Sequence, residues 1–242
     1  MNRFIRIGGH IVVLMNKVER ALVNSPPRRA LQRFYEAPLL ARLGGRVPGG
    51  RALELGCGNG YGATLVLDYF GAATVDAIDL DPRAVVTAQR RLARYGDRVR
   101  VATGTATDLL AALDAADGSY DAVFDFAIIH HVEDWRTAVY EVSRVLRPGG
   151  RFYFDEATAK SLSRRSSRWL FDHPRQDRFT AGDFLAELAR HGLRVGENWR
   201  VRLGGDYLFG VAEQRSAQAP VTRTVVTRRR SSTARRYRQI MR

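Results

Sequence analysis

The run Ala52-Leu53-Glu54-Leu55-Gly56-Cys57-Gly58-Asn59-Gly60-Tyr61-Gly62 constrains the fold more than any other part of the chain. An apolar stretch ends beside an acid, glycine then falls at every second position, and a helical pattern follows. Glycines at such a turn let the backbone bend sharply into a helix and approach a ligand closely. Their spacing excludes two common phosphate-binding turns. The dinucleotide fingerprint needs its third glycine at the sixth place, which is Tyr61 here, and a P-loop needs a lysine followed by Ser or Thr. Glu54 beside the turn would repel a pyrophosphate and suits a cationic or amino-bearing ligand.

Strands and helices alternate from this point onward. Short apolar runs at 51–55, 74–79, 98–103, 120–125 and 150–155 each precede a helical stretch, near 61–70, 82–94, 107–114, 134–146 and 180–191. This order predicts an α/β fold with a doubly wound, mainly parallel sheet. Two further runs, 193–203 and 206–213, flank Gly204-Gly205 and predict an antiparallel hairpin at one sheet edge. Upstream, Asn24-Ser25-Pro26-Pro27 is a helix start, a cap residue followed by prolines suited to the first turn. The spacing predicts a helix whose apolar face carries Leu31, Phe34, Tyr35, Leu39 and Leu40 and which stops at Gly44-Gly45. No internal repeat is present.

Composition narrows the function classes. The single cysteine, Cys57, excludes an intrachain disulfide and a multi-thiolate metal cluster and fits a reducing, cytoplasmic compartment. No metal site is expected. The formal net charge is +14, unevenly spread. Residues 1–51 hold ten basic and two acidic side chains, residues 214–242 nine arginines and no acid, and the stretch between them 20 basic and 23 acidic. Any electrostatic footprint for nucleic acid or an anionic surface therefore belongs to the ends. The apolar run Ile11–Met15 is far shorter than the ~20 residues a spanning helix requires. Three parts are expected: an extension over 1–23, in which Met15 is an alternative start; a domain over 24–213; and a flexible basic tail over 214–242.

Val75-Asp76-Ala77-Ile78-Asp79-Leu80-Asp81-Pro82 supplies a second motif. Asp79 closes the next strand, 21 residues after Gly58, where nucleotide-binding folds place an acid that accepts hydrogen bonds from ribose hydroxyls. Asp81, directly before Pro82, reads as a helix N-cap. Glu54-Leu-Gly-Cys-Gly-Asn-Gly resembles the first motif of the class I S-adenosylmethionine-dependent methyltransferases. Asp121-Ala-Val-Phe-Asp125-Phe-Ala-Ile-Ile-His130-His131 is similar to the fourth, where a strand end faces the donor methyl. The resemblance implies a Rossmann-like sheet of seven strands, the last hairpin being its antiparallel edge, with the helix after Pro26 as a lid. It also implies S-adenosyl-L-methionine as cofactor, held by Glu54, Gly56, Gly58, Gly60, Asp79, Leu80, Thr105, Ala106 and Phe126.

Thr105 stands where relatives carry the acid that contacts the adenine amine. Asp108, one turn on, reads equally as a first-turn helix acid. His130 and His131 are the catalytic candidates, able to accept a proton from an attacking oxygen or nitrogen; the other reading is that they cap and pack the following helix. Cys57 is a small apolar filler, Arg164, Arg165 and Arg168 are a solvated face or an anion site, and Thr180 is an N-cap with Asp183 three residues on. The chain lacks the Pro-Pro-aromatic signature of enzymes methylating exocyclic base amines, and Cys57 is its only thiol, so nucleic-acid chemistry is disfavoured. The leading expectation is a methyltransferase for a small or lipidic metabolite. The alternatives are an RNA-, protein- or phospholipid-headgroup-directed enzyme docking through the basic ends, with peripheral membrane contact in the last case, and a non-catalytic cofactor-binding protein. Acceptor and oligomeric state are open.

Overall fold

The computed structural model of the protein describes residues 4–7, 10–13, 21–164 and 177–215. Met15 as a start, Arg165 and Arg168, and the tail from residue 216 onward lie outside these residues. Two short strands, β1 (Phe4–Ile7) and β2 (His10–Val13), pair antiparallel. The helix expected after Pro26 begins with Ser25, whose hydroxyl accepts the Arg28 amide at 3.3 Å. It runs as α1 (Pro26–Leu31), a π-helical turn (Gln32–Glu36) and α2 (Ala37–Gly44).

The wide turn has a local cause. Pro38 has no N–H to give to the preceding turn, and the Ala37 amide reaches back to the Gln32 carbonyl instead. The extra residue shifts the helix phase, which corrects the expected apolar face. Glu36, Ala37 and Leu40 are buried, while Phe34 is 78% and Leu31 48% exposed. The helix ends at Gly45, as its glycines predict.

The main sheet then alternates with helices: β3 (Arg51–Leu55), α3 (Tyr61–Asp68), β4 (Thr74–Asp79), α4 (Pro82–Leu92), β5 (Val99–Thr103), α5 (Leu109–Leu113), β6 (Tyr120–Phe126), α6 (Trp135–Val145) and β7 (Leu146–Ala157). A short α7 (Ala159–Leu162) and then α8 (Ala181–Arg190) lead to β8 (Leu193–Arg194), β9 (Trp199–Arg202) and β10 (Tyr207–Gln214). The order across the sheet is β5-β4-β3-β6-β7-β10, with β8 and β9 both on the outer edge of β10. Strands β3 to β7 are parallel and β10 is antiparallel to β7. The sheet has eight strands rather than seven, because the run 193–203 breaks at Gly196, held at φ +58°. The Asn198 amide bonds to the Val195 carbonyl across that break, and both fragments pair with β10. The expected strand at 150–155 starts earlier, since Leu146 already pairs with Tyr120 before the Arg147–Gly150 segment bulges out.

Apolar side chains cover both faces. Leu53, Leu55, Val123, Phe152 and Phe154 pack toward α5, α6 and α8, and Ala52, Val75, Ala77, Phe124 and Tyr153 toward α2, α3 and α4. One polar knot crosses four strands. Asp76 on β4 accepts hydrogen bonds from Arg51 (2.8 Å), Arg100 (2.9 Å) and the Tyr120 hydroxyl (2.7 Å). Burial alone would raise the Asp76 pKa, but the bonds from Tyr120, Arg51 and Arg100 outweigh it and hold the carboxyl below the usual range.

A depressed carboxyl adds stability that is present above its unfolded pKa of about 3.9 and vanishes as pH falls through the folded value. Asp76→Asn is therefore expected to lose about 2 kcal/mol at pH 7. Urea unfolding at pH 7 and pH 3 would read this as a gap from wild type that narrows in acid. An equal gap at both values would refute the assignment of the knot.

Candidate functional site

The strand order reverses between β3 and β6, so a crevice opens at the carboxyl ends of β3, β4 and β6. Glu54 lies near the end of β3 and is 2% exposed. Its Oε1 packs on Gly62 at the start of α3, and its Oε2 has no hydrogen-bond partner among the described residues. Burial pushes the carboxyl well above its ordinary pKa; the Ala63 amide opposes this and the Asp79 charge adds to it. Gly56, Gly58 and Gly60 all take positive φ. A Cβ at Gly58 would meet nothing within 4 Å, so the backbone there borders open space. Asp79 closes β4, its Oδ2 accepting the Gly58 amide and its Oδ1 the Asp81 amide, each at 2.8 Å. Leu80 follows, partly exposed.

These residues fit the cofactor expected from the sequence. An unpartnered buried carboxylate oxygen suits the amino end of a cationic ligand, an acid at the next strand end suits hydroxyls, and the Gly58 backbone leaves room between them. The remaining expected contacts line the same strand ends. Thr105 lies beyond β5, its hydroxyl accepting the Thr107 amide at 3.2 Å and paired with the Thr107 hydroxyl at 2.8 Å. Ala106 is 8% exposed beside it, and Asp108 caps α5 by accepting the Ala111 amide. Phe126 ends β6 half-buried, its ring stacked on Phe124 and against Gly62. Asp81 and Thr180 act as N-caps, the latter in a capping box with Asp183. Cys57 is buried with the thiol pKa pushed up, first by burial, and Arg164 pairs with Asp206 at 2.7 Å.

Beyond Phe126 the chain forms a tight 3-10 turn at Ile129–His131. His130 is buried and His131 partly exposed, with ring centroids 4.2 Å apart. His130 Nδ1 lies 2.6 Å from Glu156 Oε2, and its ring lines a cleft with Val132, Trp135, Ala157, Leu162 and Phe179. Burial pushes the ring pKa down to about 4, with the Asp125 charge opposing and the Arg28 charge assisting. At neutral pH the imidazole is uncharged.

Four residues that sequence reasoning passed over join this end. Glu156 and Asp155 close β7, and the helical stretch over 26–44 adds Glu36 and Arg28, which form an ion pair. Arg28 also approaches Asp155 at 4.0 Å. Asp155 and Asp125 are both driven well above the carboxylate range, first by burial and then by neighbouring carboxylates. The two on β7 follow the pattern that made Glu54 and Asp79 visible, an acid closing a buried apolar strand. Among the described residues no cluster could hold a metal ion.

The stretch 53–154 matches the family model described as a methyltransferase domain. A fatty-acid O-methyltransferase of Mycolicibacterium smegmatis is 34% identical over 130 residues, 54% of this chain and 45% of that protein. A malonyl-[acyl-carrier protein] O-methyltransferase of Halorhodospira halophila is 34% identical over 164 residues, 65% and 54% respectively. The chain thus spans roughly half of these relatives' own lengths. A crystal structure of a SAM-dependent methyltransferase from Aquifex aeolicus superposes with a TM-score of 0.63 at 19% identity, over 82% of this chain and 98% of that one, which establishes the shared fold. The stretch 53–154 is thus similar to a methyltransferase domain, and the α/β fold around Glu54, the glycine turn and Asp79 is the one shared with S-adenosylmethionine-dependent methyltransferases.

Proposed function

We propose that this chain transfers a methyl group from S-adenosylmethionine to a small or lipidic metabolite. The observation that carries the reading is the convergence of the Glu54 carboxylate, the open backbone at Gly58 and Asp79 at the switch of strand order, inside the stretch matched to a methyltransferase domain. When bound, the cofactor supplies an activated methyl on a sulfonium, so the protein's work is alignment and exclusion of water. Glu54, Gly56, Gly58, Gly60, Asp79, Leu80, Thr105, Ala106 and Phe126 would hold the cofactor. On the acceptor side His130 is a neutral imidazole placed to take a proton from the incoming nucleophile, with His131 tilted against it. The relative named as a fatty-acid O-methyltransferase supports the choice of a small or lipidic acceptor. No helix among the described residues is long and apolar enough to cross a membrane.

Methyl-labelled S-adenosylmethionine, incubated with cell lysate and wild-type protein, is expected to place label in the solvent-extractable fraction, with none for Asp79→Ala. Label in the acid-precipitable fraction would overturn the acceptor class and assign the arginine-rich ends to a macromolecule. No transfer with retained cofactor affinity would leave a binding protein without catalysis.

A further inference from the structure

We infer that Glu156 is the positioning residue of the acceptor side: it clamps the turn after β6 and orients His130 so that Nε2 is the ring's proton acceptor. The inference rests on the methyltransferase reading for its purpose and on geometry for its content. Glu156 is fully buried at the end of β7. Its Oε1 accepts the amides of Ile128 (3.1 Å) and Ile129 (2.7 Å), and its Oε2 accepts the amide of His130 (3.2 Å) as well as facing Nδ1 of the same residue. One carboxylate therefore takes three consecutive backbone donors and the side chain they carry.

That donor set decides the proton. Three backbone amides converge on the Glu156 carboxyl, and hydrogen bonds of that kind favour its ionised form. An ionised carboxylate only accepts, so Nδ1 at 2.6 Å must be the protonated ring nitrogen. With the ring neutral, Nε2 is then its acceptor, on a side chain lining the cleft beside Trp135 and Phe179.

The neighbours act consistently. Asp125, facing from β6, is driven well above the carboxylate range by burial and then by the Glu156 charge. Asp155 on the same strand is likewise raised by burial, Arg28 on α1 adds a positive charge that disfavours an imidazolium, and the His131 ring lies tilted against that of His130. Burial lifts Glu156 itself to about 7, with Asp125 and the amides of Ile129, His130 and Ile128 opposing. Above that pH the clamp is charged; as pH falls through it, Glu156 takes a proton and the reason for Nδ1–H is lost. A turn that merely packs the start of α6 would need neither a fixed tautomer nor this dependence.

The test uses the full chain with 15N-labelled histidine, His130 being assigned through the His130→Gln variant. At pH 8 the wild type is expected to show a neutral ring protonated at Nδ1, and Glu156→Gln to shift toward the Nε2–H form. Nε2–H in the wild type would overturn the inference, whether or not the variant folds. In methyl transfer to the extractable fraction, Glu156→Gln is expected to fall about 100-fold and to lose the wild type's acid limb near 7. Cofactor affinity by calorimetry should stay within about twofold, because no contact to Glu54 or Asp79 is touched. The double variant with His130→Ala should be no slower than His130→Ala alone, as for residues acting as one unit. A Glu156→Gln variant with wild-type rate and acid limb would overturn the inference while leaving the methyltransferase reading intact. A wild type that transfers no label would overturn that reading and the catalytic purpose with it, while the tautomer still decides the geometry.

Discussion

Replacing Asp79 with alanine is expected to abolish S-adenosylmethionine binding in calorimetry, a loss of at least about 100-fold. The carboxylate is 8% exposed and ties together the two loops that form the crevice. Oδ2 holds the Gly58 amide and Oδ1 the Asp81 amide that leads into α4, each at 2.8 Å. Alanine removes both acceptors and strands two amides, at about 1–3 kcal/mol each where they stay shut away from water. It also removes the acid at the strand end that the ligand's hydroxyls would use. The stranded amides weigh on the loops of the crevice whether or not ligand is bound, and the loss of the acid that the ligand's hydroxyls would use, at about 2.8 kcal/mol, is what corresponds to 100-fold in affinity. Asp79→Asn keeps the shape but sets an NH2 group against one of the two amides, and it is expected to lose nearly as much. Retained affinity in either variant would sink the assignment of the crevice as the cofactor site.

Asp79 was legible in the sequence because both its signals are local. An apolar run ends in an acid, and a proline-started helix follows, so strand end, cap and helix start all fall within Val75–Pro82. The same holds for Glu54, the glycine turn, and the caps at Ser25 and Thr180, each set by neighbours within a few residues. On the acceptor side the strand end at Asp125 and the His130-His131 turn were legible, but the partners that surround them were not, for the opposite reason. Arg28, Glu36, Asp125, His130, Asp155 and Glu156 come from the N-terminal helix, two strands and a turn. His130 and Glu156 are 26 residues apart in sequence, and only the pairing of β6 with β7 makes them neighbours.

A different kind of miss occurred where one residue changed a period. The wide turn before Pro38 rotated the expected apolar face, so Phe34 points outward and the acid Glu36 inward. Gly196 did the same to the last hairpin by splitting its first strand into β8 and β9. Periodicity predicts an element well until a proline or glycine inserts a phase shift, and the pattern of apolar residues does not reveal the shift itself.

The second large effect is expected at Gly62, where helix propensity and packing make opposite predictions. Gly62 is buried in the first turn of α3, and alanine in a helix interior is ordinarily worth about 1 kcal/mol more than glycine. Here the added Cβ would lie 1.8 Å from Glu54 Oε1 and 2.8 Å from Phe126 Cδ2. Neither neighbour can give way easily: Glu54 is 2% exposed on a central strand, and Phe126 is stacked on Phe124. Overpacking of this kind costs about 1–3 kcal/mol, more than the gain in propensity. Gly62→Ala should therefore melt several degrees lower, at about 2–4 °C per kcal/mol for a domain of this size. Because the displaced groups are the candidate amine-binding acid and the aromatic at the end of β6, cofactor affinity should fall with it.

Gly58→Ala provides the contrast. A Cβ there meets nothing, so the added strain is confined to the residue's φ of +55°, about 1–2 kcal/mol. Its methyl instead occupies the open space where the ligand would lie. Both variants should lose affinity, Gly58→Ala with Glu54 and Phe126 left in place and Gly62→Ala by displacing them. If Gly62→Ala proved more stable than wild type with unchanged affinity, Glu54 would have an alternative place to go, and its role in holding the cofactor would fall.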